Sequence, residues 1–285
     1  MILHRMSPER GLRRGALFMV FGALFFALMG LCVKLASRSL GNAMIVFARN
    51  AFGLVALLPW ALRLRGGLRT QHLAEHLVRS AAGLAAMYCF FHAIAHMRLA
   101  DAVLLNYSLP LFMPMIAFLW LGEGVPRGLW RGILLGLFGI TLILKPGRGV
   151  FEPVALFGIA SAILAALAQV GVRRLTETEP VTRIVLYFSL ISTAVSAVPL
   201  AWAWRAPHGP EWLLLVAMGI AATVAQLLLT RAYAQAPAAQ VGPFIYACVP
   251  FAALLDGLVL GLWPDAWSLA GALLVCAAGI FVLRT

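Results

Sequence analysis

Apolar residues fall in runs of about twenty along this chain, and each run stops at a short polar or charged joint. A helix needs about 20 apolar residues to cross the hydrocarbon core of a bilayer. On that length the pattern predicts ten helices, over about 14–36, 43–62, 76–97, 101–121, 129–146, 153–174, 182–203, 212–235, 239–261 and 266–284. The segment from Phe90 to Glu123 shows the punctuation well. An apolar run carrying His92 and His96 ends in a polar joint at Arg98 and Asp101, and the next run holds Asn106, Tyr107, Pro110 and Pro114 before closing on Leu121-Gly122-Glu123.

The same punctuation returns 139 residues later. Ala93 falls on Ala232, Ala100 on Ala239, Tyr107 on Tyr246, Gly122 on Gly261, Gly132 on Gly271 and Lys145 on Arg284. Ala16-Leu17-Phe18 likewise falls on Ala155-Leu156-Phe157, and Val33-Lys34 on Val172-Arg173. The chain therefore reads as a duplicated unit, residues 1–146 and 147–285, with five predicted helices in each half. Five is odd, so the second half enters the membrane from the opposite side. Inverted repeats of this kind let two pseudo-symmetric halves exchange shapes and open a midplane site to either side in turn. The expected fold class is an all-α polytopic membrane protein of ten transmembrane helices in two inverted five-helix repeats.

Composition agrees, with 63% hydrophobic residues, 11% charged and a mean hydropathy of +0.95. No soluble domain could cover itself with so little polar surface. The net charge of +12 would suggest nucleic acid in a soluble protein, but here the basic residues sit at the ends of apolar runs, so no nucleic-acid partner is expected. With the N-terminus inside, cytoplasmic ends collect fourteen basic residues (Arg5, Arg10, Arg13, Arg14, Arg63, Arg65, Arg69, Arg79, Arg127, Arg131, Arg173, Arg174, Arg183, Arg284). The opposite ends collect six (Lys34, Arg38, Arg98, Lys145, Arg148, Arg205). The positive-inside rule then places both termini in the cytoplasm. The basic N-terminal segment and the run after it superficially resemble a secretory signal, but the run exceeds a signal's apolar core, so it is expected to be the first membrane helix. Cys32, Cys89, Cys248 and Cys276 lie inside apolar runs with no CxxC spacing, which indicates neither a disulfide framework nor a zinc site.

Polar residues inside the predicted spans are the candidates for chemistry. Arg49 stands roughly 10 Å into its helix at 1.5 Å per residue, and a guanidinium at the bilayer centre costs about 2.5–3.5 kcal/mol on insertion scales. It must face protein or a wet cavity, either recognising an anionic group or bonding to helix-end carbonyls and neighbouring Asn50. Cys89, His92 and His96 share a helical face. That spacing would suit a metal, but no further ligand is near, and no metal is expected. Cavity lining, proton handling and simple packing remain open for the histidines. Pro110 and Pro114 interrupt one predicted helix and Pro243 and Pro250 its repeat mate, and paired interruptions point to a transporter's binding site and gates. Asn106, Tyr107, Gln226, Tyr233 and Tyr246 supply hydrogen-bonding and aromatic groups that suit either a cavity wall for an amphiphilic solute or interhelical contacts. Arg231 is expected to snorkel, Gln169 to bond between helices, and Asp256 is the most embedded acid. Gly128, Gly132 and Gly136 form a row for close helix approach within the chain or in a homodimer.

The segment Gly22 to Lys34, Arg49 opening an apolar helix, FFHAIAHMRLADAVLLNYSLPLFMPMIAFLWLGE and the following WRGILLGLFGITLIL resemble the EamA-type branch of the drug/metabolite transporter superfamily. The resemblance spans both repeats. It implies ten helices in a five-plus-five inverted arrangement around a central cavity, with helices 3, 4, 8 and 9 prominent in the lining. Substrates implied are amino acids, nucleoside-like compounds, vitamins or S-adenosylmethionine, with bacterial carriers of the S-adenosylmethionine and riboflavin kind nearer than sugar-nucleotide carriers. The second repeat departs from the pattern, with Phe188 where the arginine would stand and Leu262 for the glutamate.

A nucleophile elbow, a phosphate-cradling glycine loop and an HExxH motif are all absent from the sequence, so no enzyme activity and no cofactor are expected. The expectation is a secondary carrier of a small organic metabolite across the bacterial inner membrane. Arg49 or the histidines would orient the solute, with a proton or counter-substrate giving direction; the carrier is a monomer or a homodimer. A passive channel or a membrane receptor or scaffold is the alternative.

Overall fold

The structure is a computed structural model describing residues 8–64, 69–96, 99–145, 152–261, 263 and 265–284, and every described element is helical. The helices are α1 (Pro8–Ala36), α2 (Asn42–Ala61), α3 (Leu73–His96), α4 (Leu99–Asn106), α5 (Leu109–Leu121), α6 (Leu129–Leu144), α7 (Ala155–Leu175), α8 (Val181–Ala197), α9 (Leu200–Ala203), α10 (Pro210–Gln235), α11 (Ala238–Val241), α12 (Cys248–Leu260) and α13 (Ala266–Val282). A 3₁₀ segment, Gly242–Ala247, joins α11 to α12. Among the described residues six spans are long and apolar enough to cross a membrane, including Ala102–Leu121 and Ala238–Val259, each of which contains a break. Arg65, Arg98, Arg148 and Leu262 lie outside the described residues.

The breaks differ in detail from the proline positions. The fourth predicted helix parts at Tyr107-Ser108, and Pro110 then stands in the first turn of α5, where its missing N–H costs nothing. Pro114 lies inside α5 without ending it. In the repeat mate, Pro243 opens the 3₁₀ segment and Pro250 sits in the first turn of α12. The seventh predicted helix, 182–203, also parts, at Val198-Pro199 between α8 and α9, because Pro199 has no N–H to continue the ladder.

Four pairings build the bundle: α1 lies along α10, α3 along α7, α6 along α13, and α2 packs between α8 and α10. Glycine makes the α6–α13 contact possible. A Cβ on Gly139 would stand 2.7 Å from the Gly271 carbonyl oxygen, and one on Gly136 would stand 2.4 Å from Cδ2 of Tyr246. The glycine row is therefore used for packing inside the chain. Outward, large apolar side chains such as Leu119, Leu156, Leu213 and Leu273 are exposed along the bundle, a surface tenable only against lipid. Trp202, Trp204, Trp212, Trp263 and Trp267 are exposed near one end, as expected of a membrane-interface belt.

Candidate functional site

Polar groups gather where α2, α3, α8 and α10 meet. Helical spacing places Phe188, Ser189, Ser192 and Ser196 on the inner face of α8, and Gly219, Thr223, Gln226 and Thr230 on that of α10. From α2 come Arg49, Asn50 and Gly53, and from α3 come His76, Arg79 and Ser80. A cleft with about 10 Å³ of free space is lined by Arg49, Asn50, Gly53, Phe188, Thr223 and Gln226, with Val185, Ser189 and Ala222 completing it. That is room for about one water, against about 300–1,000 Å³ for a substrate pocket, so the cleft is a narrow slot as it stands.

Arg49 is 7% exposed; its Nη1 donates to Asn50 Oδ1 at 2.9 Å, and its Nε points to Met29 Sδ at 3.5 Å. Asn50 Nδ2 donates onward to Ser196 Oγ at 3.4 Å. Arg79, 4% exposed, donates from Nη2 to Gln226 Oε1 at 3.0 Å, and its Nε has no acceptor. One aromatic ring serves both cations: Cζ of Arg79 lies 3.6 Å, and Cζ of Arg49 5.8 Å, from the centroid of Phe188. Gly83 leaves room for this stack, since a Cβ there would meet Arg79 Nη1 at 3.1 Å and the Phe188 ring at 3.2 Å.

Arg79 corrects the sequence reading, which counted it among the charges at the cytoplasmic ends. α3 begins at Leu73, not at 76, so Arg79 lies nearly two turns inside and is buried. The signal available was its apolar setting, Leu77-Val78 before it and Ala81-Ala82 after.

Of the expected lining residues, the structure brings Arg49 and Gln226 together. Tyr233 is buried elsewhere, its hydroxyl bonded to Gln169 Oε1 and 3.9 Å from Met113 Sδ, tying α10 to α7 and α5. Asn106 Nδ2 donates to Ser161 Oγ at 2.9 Å across α4 and α7. Tyr107 hydrogen-bonds Cys248, linking one break to the start of α12. Tyr246 is buried against Gly136 with no partner for its hydroxyl. His92 is exposed, stacked on His96 at 4.2 Å and near Phe157 at 4.3 Å, at the far end of α3 from Arg79. Among the described residues no His, Cys, Asp and Glu group could hold a metal.

Ion pairs stand at the two ends of the bundle. At the end bearing the chain termini, Glu123 Oε1 accepts from Arg173 Nε at 2.8 Å and its Oε2 from the Ala238 backbone N–H at 3.0 Å. Arg173 Nη1 reaches the Tyr233 carbonyl at 3.0 Å. Nearby, Glu179 accepts from Thr70 and, at 2.6 Å, from Arg183; burial raises this carboxyl's pKa, but these bonds and the adjoining positive charge outweigh it and hold the group below its ordinary value. At the opposite end Lys34 Nζ donates to Asp256 Oδ2 at 2.8 Å, and Lys145 pairs with Asp265.

The model of the EamA-like transporter family matches this chain twice, over residues 13–145 and 153–284. The chain is 36% identical over 279 residues to the pseudopaline exporter CntI of Pseudomonas aeruginosa, covering 96% of this chain and 97% of that protein. It is 29% identical over 285 residues to a riboflavin transporter of Vibrio cholerae, covering 98% and 96%. With an S-adenosylmethionine uptake transporter of Rickettsia felis it shares 25% identity over 241 residues, covering 84% and 82%. A solved crystal structure superposes with a TM-score of 0.82 at 20% identity, covering 94% of this chain and 96% of the other, which is a likeness of fold. On the double match and these near full-length relatives, the chain belongs to the EamA-like transporter family.

Proposed function

We propose that this protein is a secondary transporter that moves a small organic metabolite across the bacterial inner membrane by alternating access. The observation that carries the reading is the cleft between the two halves. Its walls are α2 from the first and α8 and α10 from the second, Arg79 of α3 reaches the lining residue Gln226, and ion pairs stand at both ends of the bundle. A polar cleft between the two halves of the bundle is where a carrier of this kind places its substrate.

The proposed architecture is ten crossings in two inverted halves, 1–146 and 147–285, with both termini cytoplasmic. Contact reciprocity supports it. Gly132 meets Ala278 and Gly139 meets Gly271; shifted by 139 residues, the first pair becomes the second with its partners exchanged, as a two-fold relation demands. Arg79 against Gly171, likewise, has its counterpart in Met218 and Cys32, which belong to one apolar cluster. The helix pairings α1–α10 and α3–α7 are related in the same way.

Arg49 and Gln226 line the proposed substrate site. The broken spans, α4–α5 with Pro110 and Pro114 and α11–α12 with Pro243 and Pro250, are the proposed gates. Tyr107 and Tyr246 stand at those breaks and Asn106 beside the first, while Tyr233 and His92 act away from the cleft. The relatives carry pseudopaline, riboflavin and S-adenosylmethionine by name, and a metabolite of that size requires the cleft to widen.

Metabolite profiling of cells and medium, comparing a host expressing the protein with one expressing a Pro110→Leu/Pro250→Leu variant, tests the reading. A solute displaced between the compartments, then shown to cross proteoliposome membranes with the purified protein, supports it; saturation-free flux of many unrelated solutes would instead make the protein a channel.

A further inference from the structure

Resting on the transporter reading, the two buried arginines say what class of solute the cleft takes. Arg49 and Arg79 are both more than nine-tenths buried, and neither has a carboxylate partner among the described residues. The acids with assigned contacts are engaged elsewhere: Glu123 with Arg173, Glu179 with Arg183, Glu177 with Arg174, Glu75 with His72, Asp256 with Lys34, Asp265 with Lys145, and Glu211 with the His208 backbone. Both guanidiniums are instead held by neutral groups, the amides of Asn50 and Gln226 and the face of Phe188.

A buried charge without a counter-charge is unfavourable, and two of like sign beside one ring are more so. Neutral amides position the guanidiniums without neutralising them, and Arg79 Nε has no acceptor at all. Such a pair favours an anionic partner. Arg49 lies about 10 Å from the start of α2 and Arg79 about 9 Å from the start of α3, and these helices enter from opposite ends of the bundle. Arg49 lines the cleft itself, and Arg79 stands directly behind its wall, against the lining residues Gln226 and Phe188, so the two forks come to it from opposite ends of the bundle.

We infer that the cleft binds a small organic anion whose carboxylate or phosphate group is held by Arg49 and Arg79, with Asn50, Thr223 and Gln226 reading its neutral polar groups and Phe188 its flat or apolar part. Planar guanidiniums match both oxyanions by bidentate hydrogen bonding. Arg79 is the residue this adds to the site.

The test is thermal melting of the purified protein in detergent with citrate and L-glutamate as carboxylates, glucose 6-phosphate and inorganic phosphate as phosphates, and glucose and putrescine as neutral and cationic controls. At least one oxyanion is expected to raise the melting temperature by several degrees in a saturable way, the better arm naming carboxylate or phosphate. Arg49→Gln and Arg79→Gln are each expected to weaken that response at least tenfold, and Arg49→Lys and Arg79→Lys, which keep the charge, to recover part of it. Stabilisation by glucose or putrescine in place of the anions, no response to any oxyanion, or an undiminished response in both glutamine variants overturns the inference. Proteoliposome flux separates it from the carrier reading. Anion binding without flux removes the carrier and leaves the site, whereas saturable flux of a neutral or cationic solute that ignores both arginines removes the anion site and leaves the carrier.

Discussion

Glu123→Gln should unlatch the end of the bundle that carries the termini. Glu123 uses both oxygens, one for Arg173 Nε at 2.8 Å and one for the Ala238 N–H at 3.0 Å, so it joins the end of α5 to the end of α7 and the start of α11. Its side chain is 13% exposed and that of Arg173 21%, so solvent screens the pair only in part. Breaking a fully buried pair costs about 3–5 kcal/mol, and a hydrogen bond to a charged group contributes about 1.5–3 kcal/mol. Glutamine keeps one acceptor and loses the charge, which leaves a loss of about 2 kcal/mol after discounting for exposure. At about 1.4 kcal/mol per decade, that shifts closed toward open by roughly 30-fold. The assay is labelling of a cysteine at Ala236, buried behind the latch, in a background where Cys32, Cys89, Cys248 and Cys276 are replaced, using a membrane-impermeant maleimide added from the cytoplasmic side. Glu123→Gln and Arg173→Gln should each raise the labelling rate about 10- to 30-fold, and the double variant should not multiply the effects, since one interaction can be lost only once. Unchanged labelling with a lowered melting temperature would show a static brace, and the gating argument would fail.

Three further outcomes follow from the same geometry. Lys34→Ala removes the pair at the opposite end, whose side chains are about one-third exposed; with more screening its effect on accessibility from the outer face should be less than half that of Glu123→Gln. Gly136→Ala places a Cβ 2.4 Å from the buried Tyr246 ring, so overpacking should cost about 1–3 kcal/mol, read as a lower melting temperature that Tyr246→Ala partly restores. Asp265 is held at a pKa of about 2, below its ordinary value, first by Lys145 and then by Ser268. A depressed acid contributes stability above its unfolded pKa and loses it as pH falls through the folded one. The melting temperature should therefore drop between about pH 4 and pH 2, and drop less in Asp265→Asn.

The spans were legible because a bilayer demands a minimum apolar length and the chain has little else. Their orientation about their own axes was not. In a soluble helix the buried face is the apolar one, but here the lipid-facing side is equally apolar: Leu213 is 73% exposed and Leu215, two residues on, is fully buried. Periodicity thus gave no reason to separate Tyr233, packed against α7 and α5, from Gln226 in the cleft two turns earlier on the same helix. The histidine pair lies outside the cleft for the same cause, since a shared face can be the outer face, and His92 and His96 are exposed. Arg79 was missed through an error of three residues in a helix start, enough to turn a buried cation into a terminal one. Arg49 was legible because, at that depth, no boundary error of this size brings it to an end.

The departures between the repeats now have physical content. Lys34 and Arg173 are repeat mates, and each closes one end of the bundle through an acid. The acids are not mates: Asp256 corresponds to Ala117, six residues before Glu123, so it stands about 9 Å less far along its helix. The pair at the terminal end is the better shielded and is reinforced by the Ala238 N–H and the Tyr233 carbonyl, neither of which has a counterpart among the bonds of Lys34 and Asp256. On the alternating-access reading, two ends held by unequal ion pairs open with unequal ease, however symmetric the backbone. The centre is unequal too, because Phe188, the mate of Arg49, sits beside it and supplies a ring where a second guanidinium would have repelled the first. A second guanidinium enters this region instead from Arg79, off the position the repeat would dictate and on the same Phe188 ring. If the duplication supplies a backbone able to face either way, as proposed, the residues that break its symmetry are the ones that would set which face opens more readily and what charge the cleft accepts.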